Sequence, residues 1–157
     1  MKIKLLSIGK TDNKQLIKLI YEYQNRLKHY IKFDMEIIPD IKNIKKISII
    51  QQKKMEGELI LSKLKNTDQM ILLDDKGKDF TSIQFSKYLQ KKMNSGIKQL
   101  VLVVGGPYGF SEAVYEKAID KVSLSKMTFS HQMVRLFIVE QLYRGYTILK
   151  NEPYHHE

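Results

Sequence analysis

Residues 99–104, QLVLVV, form an apolar run that stops at Gly105-Gly106-Pro107-Tyr108-Gly109. Beyond Gln99 the run has no polar side chain, so a strand made from it needs cover on both faces. Strands of that kind lie inside parallel sheets with helices packed on either side. The rest of the chain keeps to this plan. Residues 3–8 (IKLLSI), 33–38 (FDMEII) and 69–74 (QMILLD) read as further strands, ended by Gly9, Pro39 and the turn signal Asp75-Lys76-Gly77-Lys78. A fifth strand is expected near 121–127.

Helical periods fill the gaps. From Asp12, the positions Leu16, Ile20, Tyr23, Leu27 and Tyr30 share one face. A lysine-rich helix is expected over about 46–65, with Met55, Leu59 and Leu64 among its apolar positions. Thr81 with Gln84 resembles a capping box that opens a helix to about Asn94, and Gly96 follows where a left-handed residue ends a helix. Ser111 can cap a helix from Glu112 to about Ile119, and Thr128-Phe129-Ser130 leads into another from His131 to about Leu149. Asn151 to Glu157 reads as a polar tail. No repeat or linker interrupts the pattern, and 157 residues suffice for one well-buried core. The expected fold is α/β: one domain over residues 1–157, with a mostly parallel sheet and helices on both faces.

Composition narrows the function. There is no cysteine, which excludes disulfides and thiolate chemistry and fits a cytoplasmic protein. No apolar stretch approaches the ~20 residues of a spanning helix, and the N-terminus lacks the apolar run of a signal peptide. The formal charge is +10. Residues 1–66 hold 15 Lys/Arg against 7 Asp/Glu, and residues 67–157 hold 12 against 10. A surplus of this sign favours a polyanionic partner; a solvated lysine-rich surface explains it equally well. Only three of the 27 basic residues are arginines, Arg26, Arg135 and Arg144, which hints that a planar forked donor is wanted there.

In an open parallel sheet, ligands sit beyond the carboxyl ends of the strands. Three such ends stand out: Leu72-Leu73-Asp74, Gly105 to Gly109, and Leu124 to Phe129. Glycines directly after an apolar strand permit close backbone approach, which makes Gly105, Gly106 and Gly109 candidate ligand contacts. A plain tight turn accounts for the same letters. The segment is neither a Walker A loop nor GxGxxG, so triphosphate binding is disfavoured. The four histidines lack ligand spacing with acids, and no metal site is implied.

One series of motifs is specific in combination. Gly105-Gly106-Pro107-Tyr108-Gly109, Leu124-Ser125-Lys126-Met127-Thr128-Phe129, His131, Val134-Arg135, Glu140-Gln141-Leu142-Tyr143-Arg144 and Pro153-Tyr154-His155 follow in one order. The series, and the chain as a whole, resembles the ribosomal RNA large-subunit methyltransferase H family of the SPOUT superfamily. The resemblance implies transfer of a methyl group from S-adenosylmethionine to N3 of a pseudouridine in a hairpin loop of 23S ribosomal RNA, with no metal. It implies a homodimer, a C-terminal trefoil knot that no periodicity foretells, and the ribosome as the partner. It puts the cofactor at Leu73, Gly105 and the run Leu124, Ser125, Lys126, Met127, Thr128 and Phe129. It puts the tail, with Tyr154 and His155, close to the methyl donor, at a site expected to be shared between subunits; Arg135, Arg144 and His155 are the candidates for stabilising the charge that develops as N3 loses its proton. The sequence departs from the family at Ser130, where a proline often precedes the histidine.

Arg135 and Arg144 are nine positions apart, about 180° around a helix, so one straight helix cannot aim both at one ligand. One is read as serving its own subunit's site or RNA phosphates and the other as a dimer contact or part of the neighbour's site, with an exposed pair between Arg144 and Glu140 as the blander alternative. Two rival functions remain open on residues alone: a non-enzymatic RNA- or ribosome-binding factor on an α/β scaffold, and a nucleotide-binding enzyme using GGPYG.

Overall fold

The computed structural model describes residues 1–42 and 44–156. Five strands, β1 (Lys2–Ile8), β2 (Lys32–Ile38), β3 (Asp68–Asp79), β4 (Gln99–Val104) and β5 (Asp120–Ser123), form one sheet in the order β2-β1-β4-β3-β5. Every pairing is parallel, so the sheet is wholly rather than mostly so. β4 lies at its centre, as its unbroken apolar run demands. Successive residues of the central strands feed two separate cores. Leu100, Leu102 and Val104 face helices α1 (Lys14–Leu27), α3 (Ser82–Asn94) and α5 (His131–Leu149). Val101 and Val103 face α2 (Ile49–Ser62) and α4 (Glu112–Lys117). The order is compatible with the knot that the resemblance implies.

Several helix ends follow the chemistry of their caps. Thr81 and Gln84 form the expected reciprocal box, and Gly96 takes the left-handed conformation (φ 77°). Ser130 accepts a hydrogen bond from the N–H of Met133 at 3.3 Å, so it replaces the missing proline by capping α5.

Other elements differ from expectation. The strand 69–74 does not end at Asp75-Lys76-Gly77-Lys78; β3 runs on to Asp79, and its register against β5 shifts between Leu73 and Lys78. The turn letters make a bulge. A Cβ on Gly77 would stand 2.7 Å from the backbone of Lys121 and Val122, so the residue is glycine because a neighbouring strand passes over it. β5 stops at Ser123, leaving 124–127 in a loop.

The lysine-rich helix is shorter than 46–65, because Ser48 and Gln51 form a capping box that starts it at Ile49. It is also turned over. Gln52, Glu56 and Gly57 are buried, while Met55 and Leu59 are exposed and Ile50 is 80% exposed. Ser111 holds the N-cap position of α4 but makes no capping hydrogen bond; its hydroxyl lies against Gly57 of α2.

Candidate active site

The strand order sets the carboxyl ends of β4, β3 and β5 side by side, with Leu73 paired to Val104 and, on its other side, to Val122. Beyond them is a slot lined by Leu73, Asp74, Asp75, Val122, Leu124, Ser125, Met127, Phe129 and Val134. Its loop is held by short local bonds. Ser123 Oγ donates to the carbonyl of Ser125 at 2.9 Å, and Ser125 Oγ accepts from the N–H of Met127 at 2.9 Å. Phe129 packs edge-on against Phe137 of α5, with ring centroids 5.0 Å apart.

Among the expected cofactor residues, Leu73, Leu124, Ser125, Met127 and Phe129 therefore come together. Lys126 and Thr128 belong to the same loop but are exposed and do not line the slot. Its volume is about 70 Å³, below the range of ~300–1,000 Å³ usual for pockets that enclose a drug-sized ligand. A whole donor molecule fits only if the loop carrying Met127, itself 72% exposed, moves outward.

The slot's chemistry is selective. Its walls are apolar, its charged groups are the carboxylates Asp74 and Asp75, and neither lysine nor arginine lines it. Burial works against the charge on Asp74, but the Tyr115 hydroxyl donates to it at 2.5 Å and the N–H of Lys76 at 2.8 Å, and with the nearby charge of Lys121 they hold its pKa below the ordinary value. An acidic rim suits a sulfonium, an ammonium or ribose hydroxyls, and repels a triphosphate.

The glycine loop is placed differently from expectation. It closes as a tight turn, the N–H of Gly109 donating to the carbonyl of Gly106 at 3.3 Å, with Gly109 left-handed (φ 77°). A Cβ on Gly105 would meet the Phe110 ring at 2.8 Å, and one on Gly106 would meet Glu56 Oε2 at 2.4 Å. The space beside both glycines is thus filled by the protein. Gly105 directly follows Val104, the partner of Leu73, but none of Gly105, Gly106 and Gly109 lines the slot. Glu56 and Asp74 carry no motif, and the periodicity of α2 gave no sign that its polar side turns inward.

Arg135 is completely buried. Its guanidinium donates to Thr11 Oγ1 at 2.8 Å and to the carbonyl of Ile8 at 2.6 Å, and its Nε has no partner among the described residues. Burial pushes its pKa down, opposed by the charges of Asp40 and Asp12. It ties the first turns of α5 to the end of β1, and in this conformation it faces no solvent. The structure does not bring it near Arg144.

The tail is ordered back onto the helices. Asn151 takes a left-handed conformation (φ 56°), and the N–H of Glu152 donates to the carbonyl of Thr147 at 2.9 Å. Tyr154 then lands on Tyr143, ring centroids 4.6 Å apart, with the Arg144 guanidinium 4.7 Å above its own ring. Glu140 Oε1 is the hub: it accepts from Arg144 Nε at 3.0 Å, Arg144 Nη2 at 2.6 Å and the Tyr154 hydroxyl at 3.0 Å. Having spent its proton there, Tyr154 accepts from Tyr23 at 3.1 Å. Burial, then these bonds, raise its pKa, so it stays a neutral phenol. His155 Nδ1 lies 3.3 Å from Arg144 Nη1. Arg144, Tyr154 and His155 thus form one cluster. Along α5, Arg144 lies ten residues from Val134, the residue of that helix that lines the slot, about 15 Å.

Comparison with known proteins agrees with this architecture. The family model described as "Predicted SPOUT methyltransferase" matches residues 1–155. The chain is 71% identical to the ribosomal RNA large subunit methyltransferase H of Flavobacterium johnsoniae, over all of both chains. It is 65% identical to the protein of that name from Parabacteroides distasonis and 54% to that from Porphyromonas gingivalis, again over all of both chains.

Proposed function

This chain belongs to the SPOUT methyltransferase family, and on that premise we propose that it transfers a methyl group from S-adenosylmethionine to N3 of a pseudouridine in a hairpin loop of 23S ribosomal RNA, on the assembled ribosome. The observation that carries the choice of donor is the slot: apolar walls that suit an adenine, with the carboxylates Asp74 and Asp75 among the lining residues. The sulfonium donor supplies an electrophilic methyl carbon. The protein's part is to hold the nucleophilic nitrogen in line with it and to lower the cost of removing the N3 proton. A cation or hydrogen-bond donor at the neighbouring carbonyl oxygen stabilises the charge that develops there. Arg144 has that chemistry, the Tyr154 ring can stack on the extruded base, and His155, His156 or water can take the proton.

Since the cluster and the slot are separated along α5, the chain is expected to work as a homodimer in which the partner's tail completes the site. Sedimentation at micromolar concentration should give twice the 18.5 kDa of one chain. A monomer that nonetheless methylates would overturn this.

A route for the RNA leads to the slot. The largest groove, about 780 Å³, runs along α3 and holds Lys78, Lys87, Lys91 and Lys92 beside Phe80 and Tyr88, against the two acids Asp79 and Asp120. Lys78 Nζ stands 5.2 Å from the Phe80 ring centroid. Phe80 also lines a small hollow with Val122 and Leu124, which are themselves walls of the slot. Phosphates against lysines and bases against rings are the usual terms of single-strand binding. No helix is long and apolar enough to cross a membrane among the described residues.

Calorimetry with S-adenosylmethionine, followed by methyl transfer to ribosomes, tests the whole reading. Saturable binding and a labelled pseudouridine are expected. ATP binding without S-adenosylmethionine binding would favour a nucleotide enzyme, and RNA binding alone a passive ribosome factor. Lys87→Glu with Lys91→Glu should raise the KM for RNA roughly tenfold and leave donor affinity unchanged.

A further inference from the structure

Helix α2 buries a carboxylic acid and exposes isoleucines, an inversion that the hydrophobic effect alone disfavours. Glu56 is 4% exposed. One of its oxygens, Oε1, accepts from Gln52 Nε2 at 2.8 Å. The other, Oε2, points at the face of Gly106 where a side chain would begin, 2.4 Å from the ideal Cβ position. One residue along, Gly57 meets Ser111 at the start of α4: a Cβ there would stand 2.2 Å from Ser111 Oγ. The two contacts bracket the glycine loop, one at each end.

Resting on the reading that this loop borders the methyl-donor site, we propose that Glu56 is its positioning residue: the carboxylate seats Gly106, and residue 106 must be glycine because of Glu56, not because a ligand approaches it. The hydrogen on Gly106 that replaces a side chain faces an acceptor oxygen, the arrangement of a Cα–H···O contact. Any Cβ pushes the loop off that seat. Gly105 joins the loop to Val104, the strand partner of Leu73, so a shift at residue 106 is passed through Val104 to a residue that lines the slot. Glu56 itself touches no reacting group.

The acid is kept at a cost to stability. Burial raises its pKa, partly opposed by the hydrogen bond from Gln52, and the charge of Asp40 adds to the rise. A carboxyl whose folded pKa is above its unfolded one stabilises the fold most when protonated. That advantage is lost as pH rises through the unfolded and then the folded pKa. At neutral pH, Glu56→Gln, of equal size and without charge, should therefore melt higher than the native chain.

The test is an allele-specific rescue read by calorimetry with S-adenosylmethionine, with thermal melts as the fold control. Gly106→Ala should weaken donor binding at least tenfold. Glu56→Ala should weaken it several-fold, by freeing the loop. The double variant Glu56→Ala with Gly106→Ala should bind better than Gly106→Ala alone, because the methyl group then has room. Glu56→Gln with Gly106→Ala should stay as weak as Gly106→Ala, because the obstruction is unchanged. If Gly106→Ala does not fold, a folded double variant counts as the rescue. The proposal is overturned if Gly106→Ala binds natively, or if emptying position 56 restores nothing. Absence of binding by the native chain would instead overturn the donor assignment on which it rests.

Discussion

A chain ending at Glu152 is expected to fold and to bind S-adenosylmethionine with native affinity, yet to methylate ribosomes about 100-fold more slowly, the usual cost of losing a group that stabilises developing charge. Removing residues 153–157 deletes Tyr154 and His155 but leaves every residue that lines the slot. It also strips Tyr143 of an edge-on ring and Glu140 of a donor, for a loss of about 1 kcal/mol in stability. Thermal melts and calorimetry separate that small cost from the catalytic one. Mixing the truncated chain with full-length chains whose donor binding has been blocked tests the shared site. Activity should return if each tail serves the partner's slot. A truncated protein that methylates at the native rate would refute any part for the tail in the reaction.

Arg135→Ala is expected to act on the fold rather than on chemistry, with a loss of about 3 kcal/mol, or roughly 6–12 °C in melting temperature for a chain of this size. The substitution leaves a cavity at a fully enclosed site and withdraws both donors from Thr11 and the Ile8 carbonyl. Arg135→Met separates packing from charge. It fills most of the volume and removes a buried cation that has no ion-pair partner within 4 Å among the described residues, so it should cost less than alanine. Denaturant titration measures both. If Arg135→Ala melts like the native chain while losing methyl transfer, the arginine works at the reaction and not as the tie between α5 and β1.

Where information was local, it was legible in the letters. QLVLVV had to be a strand covered on both faces, and it is the central one. Thr81 and Gln84, Gly96 and Ser130 act through backbone groups no more than four residues away, so their roles follow from the covalent chain. The loop 124–129 and the segment Leu72-Leu73-Asp74 could be joined through the rule for parallel sheets and the resemblance, and Leu73, Asp74, Leu124, Ser125, Met127 and Phe129 do line one slot.

Tertiary structure decided whatever depends on which surface lies opposite. Asp75-Lys76-Gly77-Lys78 has the composition of a turn, but β5 passes over Gly77 and makes it a bulge. Helix α2 exposes apolar residues on both sides of its buried stripe, so period could not say which way it faces; Gly57 lets Ser111 come close, and that contact turns Glu56 inward. Arg135 and Arg144 look alike as letters. One meets the end of β1 in the core and becomes a tie, the other meets Glu140 and the returning tail at the surface. A charged side chain has a wide choice of partners, and only the packing of α5 between α1 and α3 determines which one each arginine finds.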